Sequence, residues 1–277
     1  MNVLVPPFDD VHVRRAVNLV LDRNGILWAL GASARGPATT RLFPPAMVVS
    51  KGPEGFPLDG DLAAAQREMA QSPYDSNGDG SCDAQVCRNL FVPSPTTPPD
   101  VNAVPILQSG LASIGIVLKV RELDCMCPYA NFPKVIKNLL PLSLNRGLEP
   151  LYPDPEAIAR SLHSSGIACE DQIDYSEVGI TRRQASDCGV LKQWRKVRDN
   201  VPNLDGRIDA CERLKGNARS ACWAEFDRYV MTEVVPWAPI RFPDTLIVTG
   251  RTVTKFEYDQ AFGMISLCHV AVSTASS

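Results

Sequence analysis

Apolar residues recur at three- and four-residue spacing at Val13, Ala16, Val17, Val20 and Leu21, which predicts a helix with one buried face. Asp9 and Asp10 precede it and suit its positive, uncapped start, and Gly25 follows its last turn. Ahead of it, residues 2–5 form a short β-prone run closed by Pro6-Pro7. A second helix is predicted after Asp59 or Asp61, with Leu62, Ala65 and Met69 on one face. A third spans 103–115 on a stripe of Leu107, Leu111 and Ile114. From Ile116 to Leu123 the period changes to two, with Ile116, Leu118 and Val120 against Lys119 and Arg121, so a strand is expected there. Residues 139–144 read as a buried strand, and Pro155 opens a helix through His163, since proline suits the first turn. Helical patterns return at 188–199 and 206–233, the latter with Ala218, Ala221, Cys222, Phe226 and Tyr229 on one face. Residues 235–240 and 245–249 read as strands, and 31–60 and 72–102 as long loops rich in turn formers. Helices alternating with strands and no internal repeat point to an α/β fold.

Composition narrows the function classes. With 277 residues, 45% of them hydrophobic, the chain can bury a substantial core. The net charge is −3 and no basic block occurs, which argues against a nucleic-acid partner. No apolar run approaches the roughly 18 residues of a membrane span. The 9 cysteines fall partly into short local pairs, 82/87, 169/188 and 211/222, flanked by turn residues. That spacing reads as disulfides and an oxidising compartment; the alternative is reduced, buried thiols in a cytosolic protein. The odd count leaves at least one thiol over, and Cys125-Met126-Cys127 is too tight for an unstrained bridge. Met1 to Pro7 carries no charged n-region and no cleavage site. An extracytoplasmic protein whose export signal lies outside this chain is therefore expected, in the periplasm or as a cell-surface lipoprotein.

Two constellations could carry chemistry. Asp75, Asn77, Asp79 and Asp83, with Gly80 at the sixth position, place oxygen ligands at alternate positions and suit a structural calcium loop. The twelfth position is Val86, where an EF-hand has a bidentate glutamate, and the competing reading is an Asn-Gly/Asp-Gly turn. Enzyme motifs are missing: there is no Gly-x-Ser-x-Gly, no Gly-x4-Gly-Lys and no His-Glu-x2-His, and His12, His163 and His269 lie far apart in sequence. A non-enzymatic protein that requires no cofactor is expected, with calcium as a structural option.

The segment from Pro6 through Asp9-Asp10-Val11 to Asn18, with Asp22-Arg23 after it, resembles the family 5 extracellular solute-binding proteins, the oligopeptide, dipeptide and nickel-type receptors of ABC importers. Leu42-Phe43-Pro44-Pro45-Ala46-Met47, Asp61 to Met69, Leu107 to Asp124 with Ile114-Gly115-Ile116, Leu151-Tyr152-Pro153-Asp154-Pro155, and Trp223 to Phe242 are similar to further blocks of that family in the same order. The resemblance covers nearly all of this chain but only the C-terminal half or so of the family. It implies a type II periplasmic-binding-protein fold, of which residues 1–232 are lobe two and 233–277 return to an incomplete lobe one. It also implies a small peptide or similar solute held between the lobes and an ABC permease as partner.

Within that resemblance, the solute half-site falls on Asn145 to Asp154: Asn145, Arg146, Leu148, Glu149, Leu151, Tyr152 and Asp154. Leu148 stands where the family's peptide receptors have a tryptophan, and Leu151 where they have the aspartate that pairs with a peptide's amine. The missing charge favours a less charged ligand, a sugar or a hydrophobic peptide. Asp154 also fits a plain helix cap, with Pro155 in the first turn. The rival from another class is a secreted, disulfide-braced calcium-binding or adhesion module.

Overall fold

The computed structural model describes residues 1–31, 36–48, 55–95, 98, 100–123, 140–143, 152–167, 176–197, 200–242, 247–259 and 264–273. Helix α1 is Val11–Val20, capped by Asp10, whose carboxylate accepts from the Val13 amide. It buries Val13, Ala16, Val17 and Val20 as the periodicity predicts, and also Arg14 and Asn18. Gly25 does not end it. Leu21 turns extended, Asp22 caps a second helix, α2 (Arg23–Ala29), and Gly25 sits in that helix's first turn, donating to Asp22. Of the two candidate caps, Asp61 starts α3 (Leu62–Met69), and Ala65 and Met69 face the core against α1.

The expected strand at 2–5 is absent. Residues 3–9 form turns, while the Asn2 and Val3 amides donate to Pro141 and Ser176 carbonyls, so the segment is held by scattered loops and not by a ladder. Residues 72–102, read as loop, contain β1 (Leu90–Pro95). Its run of prolines hides it, yet it pairs in parallel with β2 (Leu118–Leu123), from Leu90↔Leu118 to Pro95↔Leu123. The crossover carries α4 (Val104–Ala112), completing a β-α-β unit. Between α4 and β2 the chain turns at Gly115 with φ +80°; a Cβ there would lie 2.5 Å from the Cys82 backbone, so only glycine fits. Of the expected strand at 139–144, residues 140–143 are described and form no strand, although Leu140 is buried.

Among the described residues the α-helices that follow are α5 (Pro155–Ala159), α6 (Arg182–Asp187), α7 (Leu191–Val197), α8 (Asp205–Glu212) and α9 (Gly216–Tyr229). α6 has no apolar stripe to announce it among its polar neighbours; a capping box between Thr181 and Gln184 starts it. The long helix expected at 206–233 is α8, α9 and a π-helical turn, Val230–Val234. The Cys211–Cys222 disulfide spans the break between α8 and α9. The buried face of α9 is Trp223, Phe226 and Asp227; Ala218 and Ala221 are exposed, because the indole's larger apolar area sets the rotation. Trp223 meets Phe43 and Phe226 edge-on, at 5.9 and 5.5 Å between ring centres.

A main core runs from α1 and α3 through the β-α-β unit to Trp223 and Val235, and a smaller one joins Leu4, Ile180, Ala185, Val190 and Val197. After Val235, left-handed at φ 51°, residues 236–240 are not a strand. Pro236 and Pro239 supply no amides, and among the described residues an isolated bridge, Ala38↔Arg241, ties the segment's end to the stretch that follows α2. Of the strand expected at 245–249, residues 247–249 are irregular and the rest lies outside the described residues. Two small antiparallel pairs close the chain, β3 (Val253–Lys255) with β6 (Ala271–Val272) and β4 (Tyr258–Asp259) with β5 (Met264–Ile265).

Candidate functional site

Of the residues expected to contact solute, Asn145, Arg146, Leu148, Glu149 and Leu151 lie outside the described residues. Tyr152 is exposed and Asp154 half-buried. Asp154 caps α5 by accepting from the Glu156 amide at 2.9 Å, and Pro155 occupies the first turn, as the sequence allowed. Its carboxylate also takes both arms of the Arg219 guanidinium, at 2.6 and 2.8 Å. That fork holds the Asp154 carboxyl below the usual carboxylate range. The oxygens expected to face a solute are thus committed to a helix start and an arginine. Arg219 lies 65 residues further along, and no local sequence signal points to it. Its guanidinium sits 5.7 Å from the centre of the Trp223 ring. Glu156 and Arg160 extend the cluster, with Arg160 paired closely to Glu212 on α8.

A second polar feature is the seat of the segment Val234–Ile240, which lies near the start of the stretch 233–277 that the resemblance implies returns to lobe one. Buried polar side chains of α1 and α2 grip its carbonyls. Arg14 Nε donates to Val234 at 3.0 Å, Asn18 Nδ2 to Trp237 at 3.1 Å, and Arg23 Nε to Pro239 at 2.7 Å. Arg15 adds a bond to Thr232, and the amine of Met1 one to Pro236. Arg23 also donates to the Asn18 and Pro57 carbonyls and to the Asn18 side chain. Burial lowers the Arg14 guanidinium to about 10, which leaves it charged at neutral pH. Carbonyls of an irregular, proline-containing segment need donors that no ladder supplies, and these side chains provide them. The periodic pattern found the helix but passed over this polar stripe.

In the acidic loop, Asp75 is buried and accepts from the Gly78 and Gly80 amides, each at 2.7 Å. Asn77 and Asp79 accept from Asp79 and Ser81 amides, and Asp83 accepts from the Ser76 amide. The Ser76 hydroxyl, which donates to the same carboxyl, and then the amide contact hold the Asp83 carboxyl below its ordinary value. Among the described residues no three His, Cys, Asp or Glu side chains converge to hold a metal. The Cys82–Cys87 disulfide pins the loop beside Gly115. Asp75→Ala is expected to cost about 1–3 kcal/mol by stranding two amides, read as a lower melting temperature. An equal loss in calcium and in chelator marks a hydrogen-bonded turn; a loss confined to calcium marks an ion site.

Cys188 is disulfide-bonded as well, but Cys169, Cys125 and Cys127 lie outside the described residues; among those described, Cys268 is a free, exposed thiol. His12 meets Glu68, His163 sits between Ser165 and Asp209, and His269 meets Ser266, three separate surroundings.

The sequence of residues 1–168 matches the family model described as bacterial extracellular solute-binding proteins, family 5 middle. The chain belongs to this family. No curated protein matches it. Among solved structures, the clavulanic acid biosynthesis oligopeptide binding protein 2 is 22% identical with a TM-score of 0.69, covering 99% of this chain and 46% of its own. NikA from Brucella suis, in complex with Fe(III)-EDTA, is 16% identical at 0.63, covering 99% and 50%. A dipeptide binding protein from Pseudoalteromonas sp. SM9913, in complex with Met-Leu, is 18% identical at 0.60, covering 98% and 47%. These likenesses establish a shared periplasmic-binding-protein fold, and the chain spans about half the length of the structures it matches.

The family's motifs acquire physical meaning here. In this family 5 chain the Asp10 cap starts α1, Arg14, Asn18 and Arg23 seat the 234–240 segment, Gly115 permits contact with Cys82, and Asp154-Pro155 starts α5.

Proposed function

We propose that this chain is the lobe-two portion of the substrate-binding component of an ABC importer. Residues 1–232 form that lobe, and 233–277 return toward lobe one. A small peptide or similar solute is held non-covalently between the lobes and delivered to a membrane permease. The family match over residues 1–168, with nearly all of the chain laid on half of each binding-protein structure, carries the reading. The solved relatives are named as binding proteins, not enzymes. The Cys82–Cys87 and Cys211–Cys222 disulfides support an extracytoplasmic site of action. No helix among the described residues is long and apolar enough to cross a membrane. Val248, Leu267 and Val272, in the segment assigned to lobe one, each stand exposed, at 85, 83 and 64%, as apolar residues that pack against further polypeptide would.

The test is calorimetric titration with a pool of tripeptides. The 277-residue chain alone is expected to bind weakly or not at all, since it spans about half the length of the binding-protein structures it matches. A polypeptide that joins it to a family 5 lobe one is expected to bind in the micromolar range, about −8 kcal/mol. Micromolar binding by the isolated chain would overturn the lobe division, and no binding by the joined protein would overturn the peptide reading.

A further inference from the structure

We infer that Arg219 is a positioning residue that makes α9 a strut between the solute-side loop and the interlobe segment. At one end of α9, Arg219 forks onto Asp154, two residues from Tyr152, fixing the described end of that loop. Along the helix, Trp223 and Phe226 are locked into the main core by Phe43, and the Leu42 amide donates to Asp227 at 2.8 Å. At the other end, the helix runs without interruption into the Val230–Val234 turn. There Thr232 and Val234 are gripped by Arg15 and Arg14, and the Val235 amide donates to Val230 at 2.7 Å. One continuous helix therefore has Asp154, the last residue of the expected solute half-site, at one end and the Val230–Val234 turn at the other. Displacement of Asp154 pulls on a helix whose far end is the hinge-side turn. Discrete packed elements held at both ends transmit such a shift because a close-packed core does not deform continuously. The meaning of the two ends rests on the receptor reading; the coupling between them does not.

The test is backbone amide hydrogen exchange on the 277-residue chain, comparing Arg219→Gln and Arg219→Lys with the parent. Arg219→Gln removes the charge and the fork; Arg219→Lys keeps the charge and loses the two-armed geometry. Exchange is expected to quicken in both Glu156–His163 and Val230–Val235 by at least about fivefold in the glutamine variant, less in the lysine variant, with α1 and α3 unchanged. Acceleration confined to Glu156–His163, acceleration spread uniformly over the chain, or no change would each overturn the strut. Retention of the tripeptide pool by the joined two-lobe protein is scored separately. If the parent joined protein retains none, the receptor reading fails while the exchange result still decides the coupling.

Discussion

Arg23→Met is expected to destabilise the chain by about 3–4 kcal/mol, among the largest effects of any single change. Arg23 is fully buried and its guanidinium serves four acceptors: the Pro239, Asn18 and Pro57 carbonyls and the Asn18 side chain. Methionine fills much of the volume but donates nothing. Each stranded buried acceptor costs about 1–3 kcal/mol, and removing the buried charge returns part of that. For a chain of this length the melting temperature falls by roughly 10 °C. Arg23→Lys recovers part of the loss, since an ammonium cannot span a planar array of acceptors. Urea unfolding of the three proteins measures the order, expected as parent, lysine, methionine. A loss under about 1 kcal/mol for methionine would mean that water replaces the guanidinium and that the segment does not depend on it.

Trp223→Ala is expected to cost about 3–5 kcal/mol. The indole is 1% exposed, meets Phe43 and Phe226 edge-on, and lies below the Arg219 guanidinium. Alanine leaves a cavity where α9 meets the loop around Phe43, and the surroundings cannot close on it because Asp227 and the Cys211–Cys222 disulfide anchor α9 on both sides. Trp223→Phe separates packing from polarity. The indole N–H is buried with no hydrogen-bond partner among the described residues, so phenylalanine removes an unpaired donor together with part of the ring. It is expected to cost less than about 2 kcal/mol. Thermal unfolding of both variants checks this; equal losses would show that the site needs the whole indole and that a single six-membered ring cannot fill it.

Both predictions concern residues that α-periodicity alone ranks poorly. Arg23 falls outside the apolar stripe of Val13 to Leu21 and is noticed only as part of the Asp22-Arg23 pair, and Trp223 lies one position off the stripe drawn through Ala221, Cys222 and Phe226. Each is decided by a partner far away in sequence: Pro239 for Arg23, Phe43 for Trp223.

What local chemistry fixes, the sequence determined alone. The caps Asp10 and Asp154, the choice of Asp59 or Asp61 as the cap of α3, the amphipathic face of α1, the alternation of β2 and the pairs Cys82–Cys87 and Cys211–Cys222 were all legible, because each depends on neighbours within about a dozen residues. The order of motifs along the chain was legible too, and it gave the family. Tertiary structure decided the rest. β1 exists only because β2 offers it a parallel ladder, since its own prolines argue for loop. Residues 235–240 are not a strand, because side chains of α1 and α2 claim carbonyls that no neighbouring strand reaches. Asp154 is paired with Arg219 because two segments 65 residues apart fold together. Pairing across such distances depends on which surfaces the folded chain brings face to face, and no spacing rule along the sequence encodes that.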